Sequence, residues 1–128
     1  FWGSAFPGPV YKYVNSTVPR FGYRALKFNT GNVVDSGEMY AVENSATPGR
    51  ITGAFSECPG KFDVPAGCYS KYRSGGVMTW ATNGSSNACQ LEPNTIYYFN
   101  YTYTDGFDDS DSRCAASPCI ATLKHQNY

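Results

Sequence analysis

A chain of 128 residues makes one domain of ordinary size, able to bury roughly two thirds of the surface its unfolded form exposes. Ten basic and ten acidic side chains cancel, so no basic field is available to hold nucleic acid or an anionic membrane, and no apolar run reaches membrane-spanning length. Charged and aromatic residues each make up 16% of the chain, with eleven Tyr, thirteen Gly and eight Pro, a balance of rigid amphipathic side chains and turns that points to a secreted or cell-surface sheet protein.

The chain opens on Phe1-Trp2 rather than Met, as expected of a processed secreted protein or of a segment of a longer one. Residues 1–9 read as an irregular Gly/Pro arm, and residues 1–128 together as a single β-sandwich domain. Strand-like segments then recur near Val10–Val14, Phe21–Phe28, Glu38–Glu43, Arg50–Ser56, Val77–Ala81, Ala88–Leu91, Ile96–Thr104 and Ile120–Lys124. Turn chemistry separates them at Thr30-Gly31-Asn32, Asp35-Ser36-Gly37, Thr47-Pro48-Gly49, Ser74-Gly75-Gly76 and Asn83-Gly84. Asn83-Gly84 is the sharpest hairpin signal, joining Val77–Ala81 to a partner near Cys89. Ile51, Gly53 and Phe55 alternate with Thr52, Ala54 and Ser56, the half-buried pattern of an antiparallel strand. Eight short strands without helical periodicity predict an all-β fold, a two-sheet antiparallel β-sandwich of Ig-like or jelly-roll-like Greek-key type.

The densest signal is Leu91-Glu92-Pro93-Asn94-Thr95-Ile96-Tyr97, a turn fused to a strand that continues through Tyr98, Phe99, Asn100, Tyr101, Thr102 and Tyr103. At a period of two, Tyr97, Phe99, Tyr101 and Tyr103 share the expected core face, and Ile96, Tyr98, Asn100 and Thr102 the other. Leu-x-Pro-x-Thr-x-Tyr resembles the corner of fibronectin type III and related immunoglobulin-like sandwiches, which implies that Tyr97 hydrogen-bonds back to its own connection. More widely, Phe55-Ser56-Glu57-Cys58-Pro59-Gly60-Lys61-Phe62, Cys68, Gly75-Gly76-Val77-Met78-Thr79-Trp80-Ala81-Thr82-Asn83, Ala88-Cys89-Gln90-Leu91-Glu92-Pro93 and Tyr97-Tyr98 resemble a module of uncharacterised secreted bacterial proteins. That resemblance spans roughly residues 50 to 103 and implies an exported β-sandwich with no assigned chemistry.

Five cysteines, Cys58, Cys68, Cys89, Cys114 and Cys119, suit disulfide-stapled loops in an oxidising compartment. Cys58 to Cys68 encloses a Pro/Gly-rich loop and Cys114 to Cys119 a second short one, so these pairs are expected. Cys89 is left as a buried thiol, a competitor for one of those partners, or a link to another chain. Zinc is the rival reading, opposed by the intervals between the cysteines and by a single histidine, His125, near the C-terminus.

Catalysis finds few of its residue types. His125 is the only imidazole and is expected to be frayed or solvated, while Glu38, Glu43, Glu57 and Glu92 read as strand-edge or turn residues, so no enzyme is expected. No cofactor is required by the pattern. Asp105, Asp108, Asp109 and Asp111 in one loop repel one another unless water or a cation screens them, which makes that loop either a solvated tip or a calcium site. Tyr69, Tyr72, Arg73 and Trp80, with Tyr98 on a neighbouring strand, form the candidate ligand-binding face, on which a sugar ring would stack; against this, Trp80 alternates with Thr79 as a core residue does. Three Asn-x-Ser/Thr sequons begin at Asn15 and Asn83, at strand ends or turns, and at Asn100, on the face opposite Tyr97, so none contradicts exposure. The expected function is a non-enzymatic extracellular binding or adhesion module for a glycan or cell-surface protein. The alternative is a self-assembling subunit of a filament, surface appendage or capsid, whose N-terminal arm docks on copies of itself.

Overall fold

The computed structural model describes residues 11–19, 22–31, 36–43, 51–70, 78–84, 87–103 and 119–127. Within them run β1 (Tyr11–Val18), β2 (Arg24–Asn29), β3 (Ser36–Glu43), β4 (Ile51–Ser56), a 3-10 turn (Ala66–Cys68), β5 (Tyr69–Ser70), β6 (Met78–Ala81), β7 (Cys89–Gln90), β8 (Ile96–Tyr103) and β9 (Cys119–Asn127). All eight expected strands are present, displaced by a few residues at their ends. The ninth, β5, is two residues long, too short for any periodicity to betray it. Ser36 and Gly37, read as turn residues, belong to β3 because they pair with Ala81 and Trp80 of β6. Tertiary pairing overrides the local turn signal there.

The strands form two sheets, β1-β9-β3-β6-β7 and β2-β8-β4-β5. The pairings nest: β1 with β9, β2 with β8, β3 with β6, and β4 with β5, all antiparallel. This is one long hairpin rolled up so that its successive rungs alternate between two sheets, which is the jelly-roll order, with β7 added at one edge. It is not the immunoglobulin order, in which the strand bearing the corner tyrosine lies beside its successor in one sheet. Here β8 and its successor β9 lie in opposite sheets. Asn83-Gly84 does turn the chain, with Gly84 at φ 81°, but it closes no hairpin. β7 runs parallel to β6, with Trp80 beside Cys89 and Ala81 beside Gln90.

The two inner faces meet in an aromatic core. Phe28 of β2 lies 5.8 Å from Phe55, 6.4 Å from Tyr97 and, across the sandwich, 6.0 Å from Trp80 of β6. Phe99 continues the series at 5.5 Å from Phe55 and 5.7 Å from Tyr101. Such pairs add about 0.5–1.5 kcal/mol each beyond the area they bury. Val18, Met39, Met78, Cys119, Ala121 and Leu123 close the opposite side. Gly53 makes room between them: a Cβ there would stand 2.9 Å from the Met78 sulfur and 3.0 Å from the Phe99 ring.

The cysteine pairing differs from the expectation. Cys68, at the end of the 3-10 turn, is bonded to Cys89 of β7, and Cys58 is an exposed thiol. The expected Cys58–Cys68 loop is therefore open, because β7 carries Cys89 inward beside Trp80, where it meets Cys68 from the other sheet's connection. Cys119 is disulfide-bonded, and Cys114, its expected partner, lies outside the described residues. The Cys68–Cys89 bond closes a loop with a sequence separation of 21, for which chain entropy assigns about 3 kcal/mol. Replacing both residues with Ala should cost about that much in urea unfolding, whereas Cys58→Ser should leave the unfolding midpoint unchanged. Peptide mapping of the non-reduced protein checks the pairing directly.

Candidate functional site

Pro93 and Asn94 turn the chain into β8, with Asn94 at φ 48°. Tyr97, the second residue of β8, points inward, and its hydroxyl accepts the backbone N–H of Glu92 at 2.9 Å. The corner expected from the resemblance is thus formed. Thr30, just after β2 and fully buried, secures it from the other side. Its hydroxyl donates to the Glu92 carbonyl at 2.7 Å and accepts the Thr95 N–H at 3.1 Å.

The outer face of β8 holds a feature that the sequence pattern did not predict. Asn100 is 0% exposed, although it alternates with the core residues and was assigned to the solvent side. Its Oδ1 accepts the Gly60 N–H at 2.7 Å, and its Nδ2 donates to the Ser56 hydroxyl at 2.7 Å and to the carbonyls of Ala54 and Lys61 at 3.3 Å. Ser56 in turn donates to the Cys58 carbonyl at 2.6 Å. The segment following β4 is thereby laid across the outer face of its own sheet. Cys58-Pro59-Gly60-Lys61 makes the return as a type II turn, with proline second, Gly60 at φ 80° third and the Lys61 N–H directed at the Cys58 carbonyl. The positive φ favours glycine at position 60, and a Cβ there would also push the exposed Tyr23 ring, 2.5 Å away, aside.

The backbone of residues 58–61 is therefore held in place, and Val64 further on packs against the core. Glu57, Lys61 and Asp63 are exposed. Phe62 meets Tyr23 edge to face at 6.3 Å, and Tyr23 is 45% exposed, one of the two large hydrophobic side chains left open to water among the described residues. Beside this segment lies an open cleft of about 210 Å³, lined by the polar residues Ser56, Glu57, Lys61 and Gln90 and by Phe55, Val64, Pro65, Cys68 and Tyr97. Its volume falls below that of drug-sized pockets, so it suits one sugar ring or one side chain.

Of the expected ligand-binding residues, Tyr69, Trp80 and Tyr98 fall among those described. Trp80 is 0% exposed in the core against Phe28, which removes it from any surface face. Tyr69 and Tyr98 are half-buried and lie two strands apart, Tyr69 paired with Ala54 on β4 and Tyr98 with Ser56. Tyr72 and Arg73 lie outside the described residues, as do Asp105, Asp108, Asp109 and Asp111. Among the described residues no group of three or more His, Cys, Asp or Glu is placed to hold a metal ion. His125 is not at a frayed end: it sits within β9, paired with Lys12 on one side and Met39 on the other. Asn15 and Asn83 are exposed as expected, whereas Asn100 is a sequon whose amide is buried and fully engaged.

Comparison with known proteins found no matching family model, no matching curated protein and no matching solved structure. The fold is thus established by its strand order, and membership of the fibronectin type III or immunoglobulin-like family has no support beyond the Tyr97 corner.

Two predictions follow from this geometry. Asn100→Asp keeps the shape but aims a carboxylate oxygen at three acceptors, and an uncompensated buried charge costs about 3–5 kcal/mol. Urea unfolding should show that loss at neutral pH and a smaller one near pH 4, where protonation restores a donor. Tyr101 is the second. Burial raises its pKa above 10.0, with the hydrogen bond to Ser16 and the charge of Arg24 pulling it part of the way back. A raised acid favours the folded state at pH values below its unfolded pKa, and that contribution is lost as pH climbs through about 10 toward the folded value. Stability should therefore fall above pH 10, and the fall should be shallower in Tyr101→Phe.

Proposed function

We propose that this chain is a non-enzymatic recognition module working outside the cell, which binds a glycan or a surface partner through the segment 57–65 and the cleft beside it. The observation that carries this reading is the anchoring of that segment by Asn100. A loop whose backbone is already ordered loses little entropy when its side chains meet a ligand. The cleft sets the polar groups of Ser56, Glu57, Lys61 and Gln90 beside apolar Val64 and Pro65, so that a small ligand would meet hydrogen-bonding partners and apolar surface together. Tyr23 and Phe62 offer ring surface nearby for a sugar or an apolar side chain. Jelly rolls include lectin domains, an argument by analogy of fold only.

A second reading, the self-assembling subunit, is favoured by the eight-residue strand β1, which among the described residues is paired within its sheet to β9 alone. An open edge of that length accepts a strand from another copy. The exposed thiol of Cys58, rather than Cys89, is then the group available for a cross-link. The arm of residues 1–9, to which this reading assigned the docking, lies outside the described residues.

A glycan array followed by NMR titration separates the two. Saturable binding should appear with shifts confined to residues 57–65, Gln90 and Tyr23, and Lys61→Ala together with Phe62→Ala should weaken it by tenfold or more at unchanged melting temperature. No binding, with concentration-dependent association in light scattering, would transfer the case to self-assembly.

A further inference from the structure

Asn-Gly is the dipeptide most open to self-modification, because the glycine nitrogen meets no Cβ on its way to the asparagine side chain. Asn83 is exposed, and Gly84 stands in open space, with nothing within 4 Å of where its Cβ would be. Yet the Gly84 N–H is not left to solvent. It donates to the Gln90 Oε1 at 3.1 Å, and the Gln90 Nε2 donates to the Ala88 carbonyl at 3.1 Å, which fixes the orientation of the amide. Gln90 is held in place by the parallel pairing of β7 with β6, through its register with Ala81 and the bond from the Leu91 N–H to the Ala81 carbonyl at 2.9 Å.

We propose that Asn83-Gly84 is a deamidation site and that Gln90 is the latch that keeps it shut in the folded protein. The chemistry is closed in atoms. The Gly84 nitrogen gives up its proton to base and attacks the Asn83 Cγ; the Cγ–Nδ2 bond breaks and ammonia leaves, forming a succinimide. Water then opens the ring to aspartate or isoaspartate. No other reactant is needed. The Gln90 Oε1 opposes the first step in two ways. It holds the Gly84 N–H in a hydrogen bond that must break before the proton can leave, and its lone pairs repel the amidate that deprotonation would create. At the usual net worth of one hydrogen bond, the latch slows attack by about two- to tenfold.

The consequence lies close to the candidate site, since Gln90 lines the cleft. Opening the latch places a new negative charge, and in the isoaspartate form an extra backbone carbon, at the turn that leads from β6 toward Gln90.

The test is the rate of deamidation at Asn83 in the intact protein at mildly alkaline pH, followed by peptide mass and by isoaspartate content. A synthetic peptide of residues 81–86 sets the unlatched rate. The folded protein should be slower than the peptide, and Gln90→Ala should close most of that gap. Amide hydrogen exchange at Leu91 in that variant separates loss of the latch from loss of β7. Parent protein reacting at the peptide rate, or Gln90→Ala unchanged with β7 intact, would overturn the proposal.

Discussion

A buried phenol must find a partner for its hydroxyl, and β8 buries three of them on one face. Tyr97, Tyr101 and Tyr103 are each at most 6% exposed, so three hydroxyls would be stranded in an apolar core unless something reached them. Each solution is a tie to another part of the chain. Tyr97 accepts from Glu92 and closes the corner, Tyr101 donates to Ser16 on β1, and Tyr103 donates to the carbonyl of Ile120 on β9. The last two cross from one sheet to the other. The strand that supplies most of the aromatic core thus also sets how the opposing sheet sits upon it, since sliding either sheet would break polar bonds and apolar packing together.

The flanks of the sandwich follow from the same requirement that two sheets meet without gaps. On one side the edge strands β1 and β2 are joined by Arg24, whose Nε donates to the Thr17 carbonyl at 2.7 Å. On the other side the edge strands are only two residues long, too short to hold themselves by pairing. There the Cys68–Cys89 bond does the work, tying the connection before β5 to β7. A covalent link is placed where the hydrogen-bond ladder is thinnest. This also explains why β7 can run parallel to β6 with only two register pairs.

Sequence reasoning recovered what depends on local alternation and missed what depends on partners far along the chain. The inward face of β8 was legible because its four aromatic residues recur at a period of two. Tyr97 was legible because its corner is made within six residues. The disulfide was not, since proximity in sequence favoured Cys58 for Cys68, whereas the fold brings Cys89 to it by a register set in β6. Trp80 was open to two readings, and packing against Phe28 decided for the core. Asn100 was misplaced for a plainer reason: alternation assigns a polar residue at its position to solvent, and only the return of residues 57–61 over the sheet makes that position interior. A hint was present in β4, where Thr52, Ala54 and Ser56 are small enough to lie under another layer of chain.

That covering layer connects fold to function. All six residues of β4 are buried, on both faces, although only one face looks into the sandwich core. A sheet centre enclosed on both sides needs a cover, and a cover made of irregular backbone brings its own unpaired amides and carbonyls. Asn100 answers that need, because a primary amide both donates and accepts, so one side chain satisfies the Gly60 N–H and the Lys61 carbonyl together. The backbone of the cover is consequently constrained by the fold, while Glu57, Lys61, Phe62 and Asp63 are under no such constraint and face away from Asn100's bonds. A segment rigid in its main chain and open to change in its side chains can acquire a specificity without disturbing the core, which is why the candidate site falls on this loop and not on the aromatic residues that give the chain its composition.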